Sequence, residues 1–98
     1  MKAGSDAFQR FKVAEGTVSV DTSADTLDLA SYPNFRYIEI TNQGATDCYF
    51  RRDGTAPTSS NGDFLKAGST RLILSGVIAN LKFITASSST TVAYAIYL

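Results

Sequence analysis

Few side chains in this sequence have types and spacings that could do chemistry. Cys48 is the one thiol, and there is no His anywhere in the chain. A cysteine nucleophile needs a neighbouring base or cation to form its thiolate. Cys48 instead sits two residues from Phe50 in an alternating run, which reads as a buried structural thiol. The lack of His also removes a His-based triad. One Cys without His removes the usual zinc ligand sets and any intrachain disulfide. Asp21, Asp25 and Asp28 form an acidic cluster, but a calcium loop needs oxygens at a different spacing. They read as solvated loop and cap carboxylates. Asp53-Gly54 and Asn61-Gly62-Asp63 make a second polar patch that could face a cation or a sugar, although turn chemistry explains the same residues. Ser87-Ser88-Ser89 lacks the flanking glycines of a nucleophile elbow.

What remains is chemistry of contact. Arg51-Arg52 is the only adjacent basic pair; it could meet an acidic surface or a phosphate, or simply solubilise a strand end. Tyr37, Tyr49, Tyr94 and Tyr97 could offer rings to a pyranose, or line a core edge or a protein interface. Lys2, Arg10 and Lys12 make a mildly basic N-terminal stretch, with Phe8 and Phe11 beside them. The residues singled out for partner binding are Lys2, Phe8, Arg10, Phe11, Arg51, Arg52 and Tyr97. No catalytic, cofactor or metal residue is expected.

Composition bounds the frame that must hold these groups. The chain has 98 residues, enough for one small domain. Nine basic residues balance nine acidic ones, which argues against a general nucleic-acid binder. Residues 1–49 carry four basic and seven acidic side chains, and residues 50–98 carry five and two. That asymmetry either reflects complementarity between identical subunits or vanishes where strands from both halves mix. Nothing near Met1 reads as a signal peptide, and no apolar run is long enough to predict a membrane span. Synthesis and assembly in a cytoplasm are expected.

Apolar residues alternate in short runs, broken every eight to twelve residues by Gly, Asn, Asp, Ser or Pro, the spacing of an all-β sandwich or barrel. Weak strands are expected at Phe8–Val13 and Thr17–Asp21. At Asp25–Ala30 a strand competes with a helical turn. Phe35–Thr41 is the strongest strand, with Ile38 and Ile40 on one face. Asn42-Gln43-Gly44-Ala45 supplies turn chemistry, with Gly44 able to take positive φ, and Asp47–Arg52 resumes as a strand. These two segments read as a hairpin. Asp53–Asp63 is a long polar loop, of the kind that tends to be functional or mobile. Strands follow at Phe64–Lys66, Thr70–Ser75, Ala79–Ala86 and Thr90–Leu98. The last is apolar on both faces, so it must be central or covered by a partner. The expected fold is all-β: a small antiparallel sandwich or jelly-roll-like barrel of seven to nine short strands. Its expected core is Val18, Val20, Leu27, Leu29, Ile38, Ile40, Phe50, Leu72, Leu74, Leu81, Phe83, Val92, Tyr94 and Ile96.

Several of these segments also form an ordered pattern: a strand ending in Thr41-Asn42-Gln43-Gly44, an aromatic strand with Arg at Cys48–Arg52, then a Gly-, Ala- and Thr-containing loop at Asp53–Thr58. Asp63-Phe64-Leu65-Lys66-Ala67-Gly68 follows, then Phe83–Ser88 and a closing strand of small and apolar residues. With these motifs, Phe35–Leu98 resembles small proteins from the structural gene clusters of tailed phages and prophages; the first 34 residues do not match. The resemblance implies a non-enzymatic β-sandwich of the virion, assembled in the host cytoplasm. A capsid decoration (cement) protein is expected, binding the major capsid protein as a homo-oligomer or high-copy assembly. The alternatives are a tail or head–tail connector subunit, or a carbohydrate-binding module contacting the host surface. Residues 1–15 are expected as an N-terminal arm, and 16–98 as the domain. No cofactor, nucleic acid or membrane is expected as a partner.

Overall fold

A computed structural model describes residues 12–32, 34–74 and 80–98. Eight strands form: β1 (Lys12–Val20), β2 (Asp25–Asp28), β3 (Tyr37–Asn42), β4 (Cys48–Arg51), β5 (Asp63–Leu65), β6 (Thr70–Leu74), β7 (Asn80–Thr85) and β8 (Thr90–Tyr97). There is no helix among the described residues. Two antiparallel four-stranded sheets form, ordered β1-β8-β3-β6 and β2-β7-β4-β5. The chain keeps crossing between the sheets, and this nesting of strands is a jelly roll. The expected fold class is thus observed.

Alternation explains the strands. In β3, Ile38, Ile40 and Asn42 point inward, while Tyr37, Glu39 and Thr41 point outward. Cys48 and Phe50 of β4, and Leu81 and Phe83 of β7, complete the facing layer. The rings of Phe50 and Phe83 meet at 6.0 Å, tilted by 38°. Each fully buried side chain of this size contributes roughly 1.5–3 kcal/mol. Backbone ordering offsets most of the sum. Strand β8 lies between β1 and β3, the central place its two apolar faces require.

Several expectations need correction. Leu72 and Leu74 are not core residues: they are 51% and 65% exposed, whereas Ile73 is 1% exposed. The run Leu72-Ile73-Leu74 has no polar residue to set its phase. Arg71 takes the inward phase with Ile73, its guanidinium 5.6 Å from the Phe50 ring centre and one Nη donating to Phe64 O at 2.8 Å. Val18 and Tyr94 are half-buried against the core rather than inside it. Phe35, expected as the first residue of the strand Phe35–Thr41 and absent from the expected core, precedes β3 and is buried.

The expected hairpin is also absent, because β3 and β4 lie in different sheets. The connection after Asn42 is an inter-sheet corner. The buried Asn42 side chain donates to Thr46 O (2.8 Å) and to Leu65 O (3.1 Å) of the second sheet. Its Oδ1 accepts from Thr90 Oγ1 (2.6 Å) of the first. Nor does Gly44 use positive φ; among the described glycines only Gly54 and Gly68 do. Gly44 is needed for close approach, since a Cβ there would collide with Thr90 Oγ1 and lie 3.0 Å from Thr90 Cβ. Finally, β1 starts at Lys12, so residues 12–15 of the expected arm are part of the first sheet, paired to β8. Residues 1–11 lie outside the described residues.

Candidate functional site

The outward face of the first sheet is built from cross-strand rows set by register. One row reads Lys12, Tyr97, Tyr37, Leu74; the next reads Glu15, Ala95, Glu39, Leu72; the third reads Thr17, Ala93, Thr41, Thr70. The face therefore grades from apolar and aromatic at one end to small and hydroxylic at the other. At the apolar end Tyr37 and Tyr97 stack, centroids 4.6 Å apart and planes within 19°. At the hydroxylic end Thr41 and Thr70 share a 2.9 Å hydrogen bond.

A bulge between Lys12 and Ala14 interrupts β1 and leaves Val13 exposed at the same end. Leu98 follows Tyr97 there. Among the described residues five large hydrophobic side chains are exposed, and four of them lie at or beside this end: Val13 on edge strand β1, Leu72 and Leu74 on the opposite edge strand β6, and Leu98 after the central β8. Charge is sparse: Lys12 pairs with Glu15 at 2.8 Å, which is the main reason its ammonium is held above the ordinary range. Desolvation, then Tyr97 and Glu39, push the Tyr37 phenol up.

The residues expected to bind partners are dispersed. Lys2, Phe8, Arg10 and Phe11 lie outside the described residues. Tyr97 is buried in its stack on Tyr37 rather than offered to solvent. Arg51 belongs to the second sheet and is engaged within the chain. It grips both carboxylate oxygens of Asp53 and donates to Asn61 O at 2.8 Å. Arg51, then the Thr55 hydroxyl and amide, hold the Asp53 carboxyl well below the usual range. Asn61 Oδ1 in turn accepts from the Thr58 amide and hydroxyl, both at 2.8 Å, and Pro57 is buried beneath the loop. Loop 53–63 is thus tied down by its own turn residues. Arg52 remains about half exposed, in an ion pair with Asp63 at 3.3 Å.

The four tyrosines do not share a face. Tyr37 and Tyr97 lie on the first sheet, Tyr94 packs against the core over Gly16, and Tyr49 lies on the second sheet, tilted against exposed Phe64 at 5.6 Å. Asp21, Asp25 and Asp28 each accept a backbone amide, from Ser23, Asp21 and Ala30 respectively, the role of cap carboxylates. Burial, then Asp47, pushes the Cys48 thiol up to about 11. Among the described residues no three His, Cys, Asp or Glu side chains converge. Apolar side chains from both sheets form the buried core between them. Exposure of Leu72 and Leu74 was missed in the sequence, where the unbroken apolar run was the only sign that the phase was open.

The fold defines the class: a small two-sheet jelly roll. No protein-family model matches the sequence, and no curated protein matches it. Two solved structures share the fold. The ethanolamine utilization protein Q of Salmonella typhimurium LT2 aligns with a TM-score of 0.52 and 21% identity. The alignment covers 86% of this chain and 56% of that one, so this chain spans little more than half of that protein. PirA aligns with a TM-score of 0.51 and 12% identity, over 86% of this chain and 93% of that one. At these identities the likeness concerns the fold, which many unrelated functions share.

Proposed function

We propose that this chain is a non-enzymatic structural protein of a tailed-phage particle, a capsid decoration protein that binds the major capsid protein and adds contact area to the shell. The observation that carries the reading is the apolar end of the first sheet, where Val13, Leu72, Leu74 and Leu98 are exposed. The sequence resemblance over Phe35–Leu98 supplies the setting. Lys2, Phe8, Arg10 and Phe11, in the stretch that precedes β1 in the sequence, complete the proposal as contact residues of an arm toward a neighbouring subunit.

The test is co-sedimentation with capsids assembled without this protein. Saturable binding is expected for the full chain, and weakened binding after deletion of residues 1–11, which stops short of β1; a circular dichroism melt of the shortened chain checks its fold. Failure of the full chain to sediment with capsids, together with a discrete ring in solution, would favour a tail or connector subunit instead.

A further inference from the structure

Loop 53–63 contains the pair Asn61-Gly62, and both residues are held by named neighbours. Asn61 Oδ1 accepts from the Thr58 amide and from the Thr58 hydroxyl, each at 2.8 Å. The Asn61 main-chain oxygen accepts from a guanidinium Nη of Arg51 at 2.8 Å. Asp53 steadies that guanidinium by taking its other two nitrogens. Gly62 is required by close packing. A Cβ there would lie 3.0 Å from Pro57 Cβ, 3.0 Å from Tyr49 Cβ and 3.2 Å from Thr58 O. The loop therefore demands, after Asn61, the one residue with no side chain to shield its own peptide nitrogen.

These contacts converge on the atoms of one reaction. A peptide nitrogen becomes a nucleophile when it loses its proton, and the charge is shared with the carbonyl oxygen of the preceding residue. For Gly62 N that oxygen is Asn61 O, which already faces the Arg51 cation. The carbon that Gly62 N meets in a five-membered ring is Asn61 Cγ. Attack on it places negative charge on Oδ1, where the two Thr58 donors point. Asn61 is exposed, so water has access to Nδ2, the leaving nitrogen.

We propose that Asn61 is a self-modifying site, at which groups of its own loop promote loss of the side-chain amide. Gly62 N gives its proton to hydroxide and bonds to Asn61 Cγ. The Cγ–Nδ2 bond breaks, and Nδ2 takes a proton from water and departs as ammonia. A second water opens the cyclic imide at either carbonyl. One opening leaves aspartate at position 61, and the other leaves an isoaspartyl link that carries the main chain through the side-chain carbon. No oxidant or reductant takes part. Aspartate keeps the acceptor for Thr58 and adds a negative charge. The isoaspartyl link lengthens the main chain where Gly62 packs closely on Pro57 and Tyr49. Asn34, Asn42 and Asn80 are followed by Phe35, Gln43 and Leu81, whose side chains crowd the attacking nitrogen. The inference is independent of where the protein works, and failure to bind capsids leaves it intact.

The hydrogen bonds that polarise Asn61 also restrain it, and variants separate the two effects by sign. The full chain is kept at body temperature and mildly alkaline pH, and peptide mapping follows the mass gain of an amide turned to an acid at each asparagine. Conversion is expected at Asn61 ahead of Asn34, Asn42 and Asn80. Arg51→Met and Thr58→Ala are each expected to slow it by up to about tenfold, less than a donor in an enclosed active site because water screens an exposed loop. Arg51→Lys, which keeps the charge, is expected to recover part of the rate. Circular dichroism checks that each variant is folded. Faster or unchanged conversion in folded Arg51→Met and Thr58→Ala, or no conversion at Asn61 in the parent chain, would overturn the proposal.

Discussion

The hydroxyl of Thr90 donates to Oδ1 of Asn42 across 2.6 Å, and this bond locks the start of β8 to the end of β3 at the point where the chain leaves the first sheet. The Asn42 amide donates in the other direction, to Leu65 O and Thr46 O. One side chain therefore holds both sheets, and it is wholly buried. Asn42→Ala strands the Leu65 carbonyl and the Thr90 hydroxyl in the interior. The expected loss is about 2–4 kcal/mol of stability, read from urea unfolding. A loss below 0.5 kcal/mol would contradict the role assigned to Asn42.

Gly44 acts through the same threonine. Adding a methyl group at Gly44 forces Thr90 Oγ1 aside and breaks its bond to Asn42. Gly44→Ala is expected to cost about 1–3 kcal/mol. The cost should shrink in a Thr90→Ala background, giving a coupling above about 0.5 kcal/mol in a double-mutant cycle. Strict additivity would mean that the two residues do not meet as described.

The inverted phase of β6 makes a paired prediction. Ile73→Asp places a charge in the apolar core and should unfold the domain at room temperature. Leu72→Asp sits on the outward face, and a monomeric sample should melt within a few degrees of the parent. The reverse outcome in circular dichroism melts would restore Leu72 to the core.

How far the sequence could be read differs from strand to strand, for physical reasons. In β3, Ile38 and Ile40 alternate with Tyr37, Glu39 and Thr41, so one register satisfies both faces. In β6, Leu72-Ile73-Leu74 is apolar in either phase, and the neighbour that shares the phase of Ile73 is Arg71, whose guanidinium lies over Phe50 from a distant segment. Asn42 and Gly44 read correctly as a change of direction. Nothing local could reveal that the turn crosses between sheets, because the partners that enforce it, Leu65 and Thr90, lie far along the chain. Among the contact residues, Arg51 looked available because its acceptors Asp53 and Asn61 are themselves loop residues that spacing alone does not bring together.

Asp53 makes the pH prediction. Its carboxyl is held below the ordinary value of 3.8, chiefly by Arg51, so the clamp on loop 53–63 is complete above that pH and is lost as pH falls through the lowered value. The NMR titration of the Asp53 carboxyl should have its midpoint well under 3.8, and Arg51→Met should return it toward that value. An unshifted midpoint in the parent protein would remove the clamp from the account. Because the pair is exposed, its effect on global stability is expected to be small.

Cys48 is predicted to be inert in the folded protein. Its thiol is buried and pushed up to about 11, so almost no thiolate exists near pH 8 and reagent cannot reach it. Labelling by a thiol-specific disulfide reagent should proceed only as fast as unfolding, and at once in denaturant. Rapid labelling under native conditions would show that the corner around Asn42 and Cys48 opens readily.

The most direct test of the central claim is the stoichiometry of this chain in purified phage particles, measured by quantitative mass spectrometry against the major capsid protein. A decoration role predicts a copy number that scales with that of the major capsid protein, falling when residues 1–11 are deleted. Absence from the particle, or a small fixed copy number independent of capsid size, would contradict it.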